Sequence, residues 1–328
     1  MPLTAHTWPI AAALLPFAPE RLGASSPDEE RGRWARTFRE VAEAGFEHVD
    51  LTDTWLPFGD LDRRQTSEMA STLSEAGLSA PSMSVIRRSV IDEADGDDHL
   101  AYSHRCIDVA AELGVGVVSV GLHRPLTAAQ RGRLWFWTAE GHRDRSDDTD
   151  AWDLAVRRFS ELGRHAEDAG LLLSLEMYEH TFLGSGESAV RLVEEIGSDV
   201  VGLNPDVGNI VRLHEPVEDW RELLRATLPY ANYWHVKNYT RDEDPDAGFV
   251  STVPTYLESG VIDYRTAMRM ALDSGFRGVI CTEHYGGDGL SMSAANREYL
   301  RERILPRDPV TGEGRSRVRQ QLAAGAEA

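Results

Sequence analysis

Residues 167–177 read EDAGLLLSLEM: an acidic helix end, a glycine, and an apolar run that stops on a carboxylate. Glycine takes the left-handed position just past a helix end, and a Leu-rich run suits a strand buried on both faces, as in a parallel sheet. The phrase recurs as EAGFEHVDL (43–51), EAGLSAPSMSV (75–85), ELGVGVVSVGL (112–122), EEIGSDVVGLN (194–204) and DSGFRGVICTE (273–283). Six helix-to-strand junctions are therefore marked. Further strands are expected at 8–15 and at 230–236, the second following a helix around 217–228.

Eight strands alternating with eight helices predict an α/β chain folded as a single (β/α)₈ barrel over residues 1–305. An open doubly wound sheet would carry a Gly-rich phosphate loop after its first strand. This chain has AAALLPFAPE (11–20) there. A long insertion is expected at 123–150, a second long connection at 238–259, and a weakly packed polar tail at 306–328. Helix starts are legible too: Ser26 precedes Pro27 and the acidic residues 28–30, a capping pattern.

Of the 328 residues, 54 are acidic and 34 basic, a formal charge of −20 that repels phosphate backbones and anionic lipid. Nucleic acid and membrane are excluded as partners on that ground. Cys106 and Cys281 lie far apart in apolar stretches and read as buried thiols of a reducing compartment. The apolar run 11–15 has no basic residue before it and is too short to cross a bilayer, so a cytoplasmic protein is expected.

In a barrel of this kind the active site gathers at the C-terminal strand ends. Strands five to eight end there on Glu176, Asp206, His235 and Glu283. Carboxylates crowded together raise one another's pKa, and a divalent cation removes that cost. Three carboxylates and one imidazole suit Mn²⁺ first, then Mg²⁺, Co²⁺ or Zn²⁺, and leave coordination positions for a small oxygen-bearing substrate.

The order Glu, Asp, His, Glu on these strands resembles the xylose-isomerase-like barrels of sugar isomerases and epimerases, over about residues 3–305. The resemblance implies that Glu176 and Glu283 also act as the acid–base pair at a carbon beside a carbonyl. Many epimerases carry His three residues after the sixth-strand Asp; here Asn209 stands there, and a substrate contact is expected from it. Lys237, two residues past His235 and so on the same strand face, resembles the lysine of inosose dehydratases. The insertion places His142 behind the aromatic segment 134–137, which is similar to the large subunit of bacterial C-glycoside deglycosidases.

That last likeness implies a lyase cleaving the carbon–carbon bond of 3-oxo-C-glycosides, with His142 as base, and an oligomer, either of this chain or a hetero-oligomer with a small β subunit. The alternatives are a ketose 3-epimerase or aldose–ketose isomerase, and a dehydratase. His123 and Trp8 are further expected substrate contacts; Asp53, Trp55, Glu179, His180 and His284 are weaker ones. A nuclease of the same barrel type would need a basic groove, which the net charge opposes.

Overall fold

The six glycines expected to close helices are all left-handed, with φ of 87° at Gly45, 72° at Gly77 and Gly114, 75° at Gly170, 69° at Gly197 and 85° at Gly275. Only a residue without Cβ enters that region at no steric cost. The computed structural model describes residues 2–23, 26–244, 246–310 and 315–322. In chain order its elements are β1 (Ile10–Ala13), α1 (Pro27–Glu43), β2 (His48–Thr52), α2 (Arg63–Glu75), β3 (Ser79–Ser84), α3 (Gly96–Glu112) and β4 (Val117–Val120). There follow α4 (Ala128–Arg131), α5 (Thr149–Asp168), β5 (Leu172–Glu176), α6 (Gly186–Ile196), β6 (Val201–Asn204), α7 (Gly208–Val211) and α8 (Trp220–Thr227). The last are β7 (Tyr233–Val236), β8 (Asn238–Asp244), β9 (Phe249–Thr255), α9 (Tyr264–Asp273), β10 (Val279–Thr282) and α10 (Gly289–Tyr299). Ser26 caps α1 through the Glu29 amide, as its position implied, and Asp62 and Gln65 form a reciprocal cap on α2.

Strands β1–β7 and β10 make one parallel sheet in the order β6-β5-β4-β3-β2-β1-β10-β7. Its two edges meet, so the barrel is nearly closed. Across the seam Ala231 bridges Leu203, the Asn232 amide donates to the Leu203 carbonyl (3.2 Å), and the His235 amide donates to Asn204 Oδ1 (2.7 Å). A side chain thus replaces part of the missing ladder between β6 and β7. Strands one and seven are shorter than expected, the seventh because residues 228–230 form a 3₁₀ turn.

Three other expectations need correction. The connection 238–259 is mostly an antiparallel hairpin, β8–β9, paired from Asn238↔Thr255 to Asp244↔Phe249. The tail does not pack weakly where it is described. Residues 315–322 cross the N-terminal ends of the strands: the Arg317 amide donates to Pro229 O (2.8 Å), the Arg319 amide to Asp199 O (2.7 Å), and the Gln321 side chain to Pro81 O (2.9 Å). Val318 is buried among them.

Trp8 is the third correction. It precedes β1, donates to Gly278 O just ahead of β10 (3.0 Å) and stacks on Phe276. It is core at the barrel's floor, opposite the strand ends where a substrate would sit. Trp55 is likewise core, fully buried against Phe38 and Phe58.

The insertion 123–150 lies down over the strand ends rather than hanging free. Asp144 anchors it, since its carboxylate takes Arg124 (3.3 Å) and the Phe182 amide (3.2 Å), and its amide donates to His180 O. Further along, the indole of Trp137 donates to Thr252 Oγ1 of β9 (3.1 Å). The two long connections therefore meet above the barrel.

Candidate metal centre and the mouth of the barrel

One donor atom each from Glu176, Asp206, His235 and Glu283 lie within 4.8 Å of one another, and all four residues are buried. His235 Nδ1 stands 3.1 Å from Glu283 Oε2, 3.7 Å from Asp206 Oδ2 and 3.8 Å from Glu176 Oε1. The four residues expected as ligands from their strand-end positions are thus brought to one centre. His235 Nδ1 and Asp206 Oδ1 make no hydrogen bond among the described residues, while Asp206 Oδ2 is met by the Lys237 ammonium. Buried polar atoms are almost always satisfied, so this donor set fits a divalent cation.

The polar interior beneath explains why His235 presents Nδ1. Asp50 accepts from Tyr233 Oη (2.8 Å), Ser82 Oγ (2.8 Å), Ser84 Oγ (3.1 Å) and Thr52 Oγ1 (2.9 Å). With its proton committed to Asp50, the Tyr233 hydroxyl accepts from His235 Nε2, 3.0 Å away. That bond assigns the proton to Nε2 and leaves the Nδ1 lone pair for a metal. Tyr233→Phe should therefore weaken Mg²⁺ binding by about 10–100-fold, read by titration calorimetry. Unchanged affinity would show that the tyrosine does not orient the ring.

Lys237 comes into the same centre, as its place two residues after His235 implied. Its Nζ lies 2.6 Å from Asp206 Oδ2 and 3.0 Å from Glu283 Oε2. Burial and the neighbouring Asp206 and Glu283 push the Glu176 carboxyl up to about 7, although His235 and Lys237 oppose this. Burial acts the same way on Glu283, but Lys237 and His235 outweigh it and hold that carboxyl well below the usual range. The two glutamates thus stand in opposite electrostatic surroundings.

A family model described as xylose isomerase-like TIM barrel matches residues 38–305. The chain belongs to the xylose isomerase-like TIM barrel family. A crystal structure of a family protein from Mycobacterium smegmatis in complex with magnesium is 43% identical, covers 92% of this chain and 97% of its own, and superposes with a TM-score of 0.86. L-ribulose-5-phosphate 3-epimerase of Salmonella heidelberg is 23% identical over 257 residues, 75% of this chain and 80% of its own. Mannonate dehydratase of Streptococcus suis shares the fold at a TM-score of 0.65 and 15% identity, over 90% of this chain and 92% of its own.

Within this xylose isomerase-like mouth the other expected residues separate. Asn209 Nδ2 donates to Glu176 Oε1 (3.1 Å) and to Met177 O (2.9 Å), so it fixes a ligand and has no proton left for a substrate. His123 is buried beside Glu176. His142 is exposed on the insertion, makes no hydrogen bond among the described residues, and lies outside the ligand cluster, lining a small cavity with His123 and Tyr178. His180 pairs with Glu215 (2.8 Å), away from the centre.

Sequence reasoning missed Arg212. Its guanidinium is fully buried, donates to both oxygens of Glu179 at 2.7 Å, and is walled by Phe136, Trp137, Tyr178 and Tyr285. Two of those rings come from the insertion. Glu179, an expected substrate contact, is instead the counter-charge of this caged arginine. No motif announces an arginine after a short GNIV turn, and only the folded loops bring the rings to it.

Asp53 is structural as well. Its Oδ1 accepts from the Ile86 amide (2.7 Å), and burial pushes the carboxyl up to about 7 against the pull of that amide and of Arg88. The folded chain therefore holds this proton more tightly than the unfolded chain, whose value is about 3.9. This group's contribution is then most favourable below pH 4 and is lost as pH rises through 7. Asp53→Asn keeps the acceptor and should gain in Tm over the parent between pH 5 and pH 8; an equal difference at both pH values would contradict the assignment.

Proposed function

We propose that this protein is a divalent-metal-dependent epimerase or isomerase that moves a proton at the carbon beside the carbonyl of a keto-sugar. The observation that carries this reading is the convergence of Glu176, Asp206, His235 and Glu283 on one buried centre. Three hard carboxylate donors and one imidazole favour Mn²⁺ or Mg²⁺. When bound, the ion supplies positive charge beside the substrate carbonyl and acidifies the neighbouring C–H.

The chain's own residues do the rest. Glu176 and Glu283 reach the centre from β5 and β10, so one takes the proton from one face of the carbon and the other returns a proton to the opposite face. Asn209 holds the Glu176 carboxylate in place, and Lys237, bridging Asp206 and Glu283, is positioned to steady a substrate oxygen as charge develops on it. The insertion and the β8–β9 hairpin exclude bulk water. The epimerase relative supports the same direction.

Mn²⁺-loaded protein incubated with a panel of ketoses in deuterated water should exchange a C–H beside the carbonyl and form the epimer or isomer. A panel without exchange or turnover would overturn the reading. The buried Lys237 favours a second outcome, in which the same deprotonation of the carbon beside the carbonyl expels a substituent from the next carbon, as in a 3-oxo-C-glycoside lyase or a dehydratase. His142 as its base has less support, because the side chain is exposed and outside the cluster. Consumption of a 3-oxo-C-glycoside by the parent but not by His142→Ala would decide for the lyase.

A further inference from the structure

His123, which follows β4, is a buried polar group of the mouth that the steps above leave unused. It is 1% exposed, and neither ring nitrogen has a hydrogen-bond partner among the described residues. The ring is held in place: it stacks on Tyr178 with centroids 4.7 Å apart and planes at 19°, and a Cβ at Gly121 would lie 2.4 Å from Nδ1. A buried donor left unmade costs about 1–3 kcal/mol. A polar atom of a ligand is therefore the fitting occupant of the space it faces.

Nε2 lies 4.0 Å from Glu176 Oε2. That is too long for a direct hydrogen bond, yet an oxygen at about 2.8 Å from each would fit between them with roughly a right angle at the oxygen. Glu176 is two-sided: Oε1 faces His235 and Asn209, while Oε2 faces His123. Asn209 cannot supply a donor here, since its amide protons are already spent. An imidazole carries at least one N–H in either charge state, so the ring can donate.

We propose that His123 Nε2–H and Glu176 Oε2 together hold one substrate hydroxyl, on the side of the carbonyl away from the metal centre. The hydroxyl oxygen accepts from His123 and its proton is donated to Glu176. Resting on the keto-sugar reading, this makes His123 a specificity-determining residue for ketones that carry a hydroxyl on both sides of the carbonyl.

Binding of two small probes to the Mg²⁺-loaded protein tests it without requiring turnover. Dihydroxyacetone has both hydroxyls; hydroxyacetone lacks one. The parent should bind dihydroxyacetone about tenfold more tightly, as one hydrogen bond is worth. His123→Ala should lose that preference while keeping its Mg²⁺ affinity, and His123→Gln, which places an amide N–H near the same spot, should restore most of it. A parent that does not discriminate, or a variant that weakens both probes equally, would overturn the proposal, as would loss of Mg²⁺ from His123→Gln. Failure of the epimerase reading would appear separately, as probe discrimination without exchange of any ketose.

Discussion

Glu283→Gln should lower the rate of C–H exchange by about a thousandfold, the middle of the range that a positioned acid or base contributes. The variant keeps a carbonyl oxygen where Glu283 Oε2 now faces His235 and Lys237, so Mg²⁺ binding should fall far less than the rate. The decisive comparison is therefore exchange at saturating metal. A Glu283→Gln protein that exchanges as fast as its parent would remove Glu283 from the acid–base pair, whatever its metal affinity.

Asp206→Ala should have the broadest consequence. It deletes a fully buried ligand and leaves Lys237, 2% exposed, with Glu283 as its remaining ion-pair partner among the described residues. Breaking one side of a buried ion pair typically costs about 3–5 kcal/mol, which for a chain of this size is on the order of a 10 °C fall in Tm. Mg²⁺ binding and exchange should both become undetectable. Adding Lys237→Met removes the stranded charge and should recover much of the lost Tm without recovering the metal. If the double variant is no more stable than Asp206→Ala alone, the loss came from packing rather than from charge.

The features legible in the chain were those with local signatures. Gly170 and its five counterparts mark helix ends because the left-handed position selects glycine wherever it occurs, and the apolar runs after them can only be buried strands. Glu176, Asp206, His235 and Glu283 were visible because each interrupts or follows such a run at its C-terminal end. Arg212 and its four aromatic neighbours had no such mark, since the cage forms from the insertion, the β5 end and the β10 end at once.

Trp8 was misplaced for a reason already present in the chain. A residue before a parallel strand lies at the end opposite to one after it, and Trp8 comes before β1. The hairpin was also readable in part: residues 244–248, DPDAG, are turn formers, and the run 249–255, FVSTVPT, is rich in β-branched residues. The docked tail was not, since residues 315–322 are mostly polar and have no period; their partners are backbone carbonyls of the barrel floor and acidic side chains beside them.

Those tail contacts bear on how the molecule is made. Arg319 reaches Asp199 just ahead of β6, while Arg317 and Gln320 reach Pro229 and Ala231 just ahead of β7, so the segment splints the one edge pair that lacks a regular ladder. Residues 315–322 follow every strand of the sheet in the chain, so synthesis makes the two edges of the seam before it makes the segment that splints them.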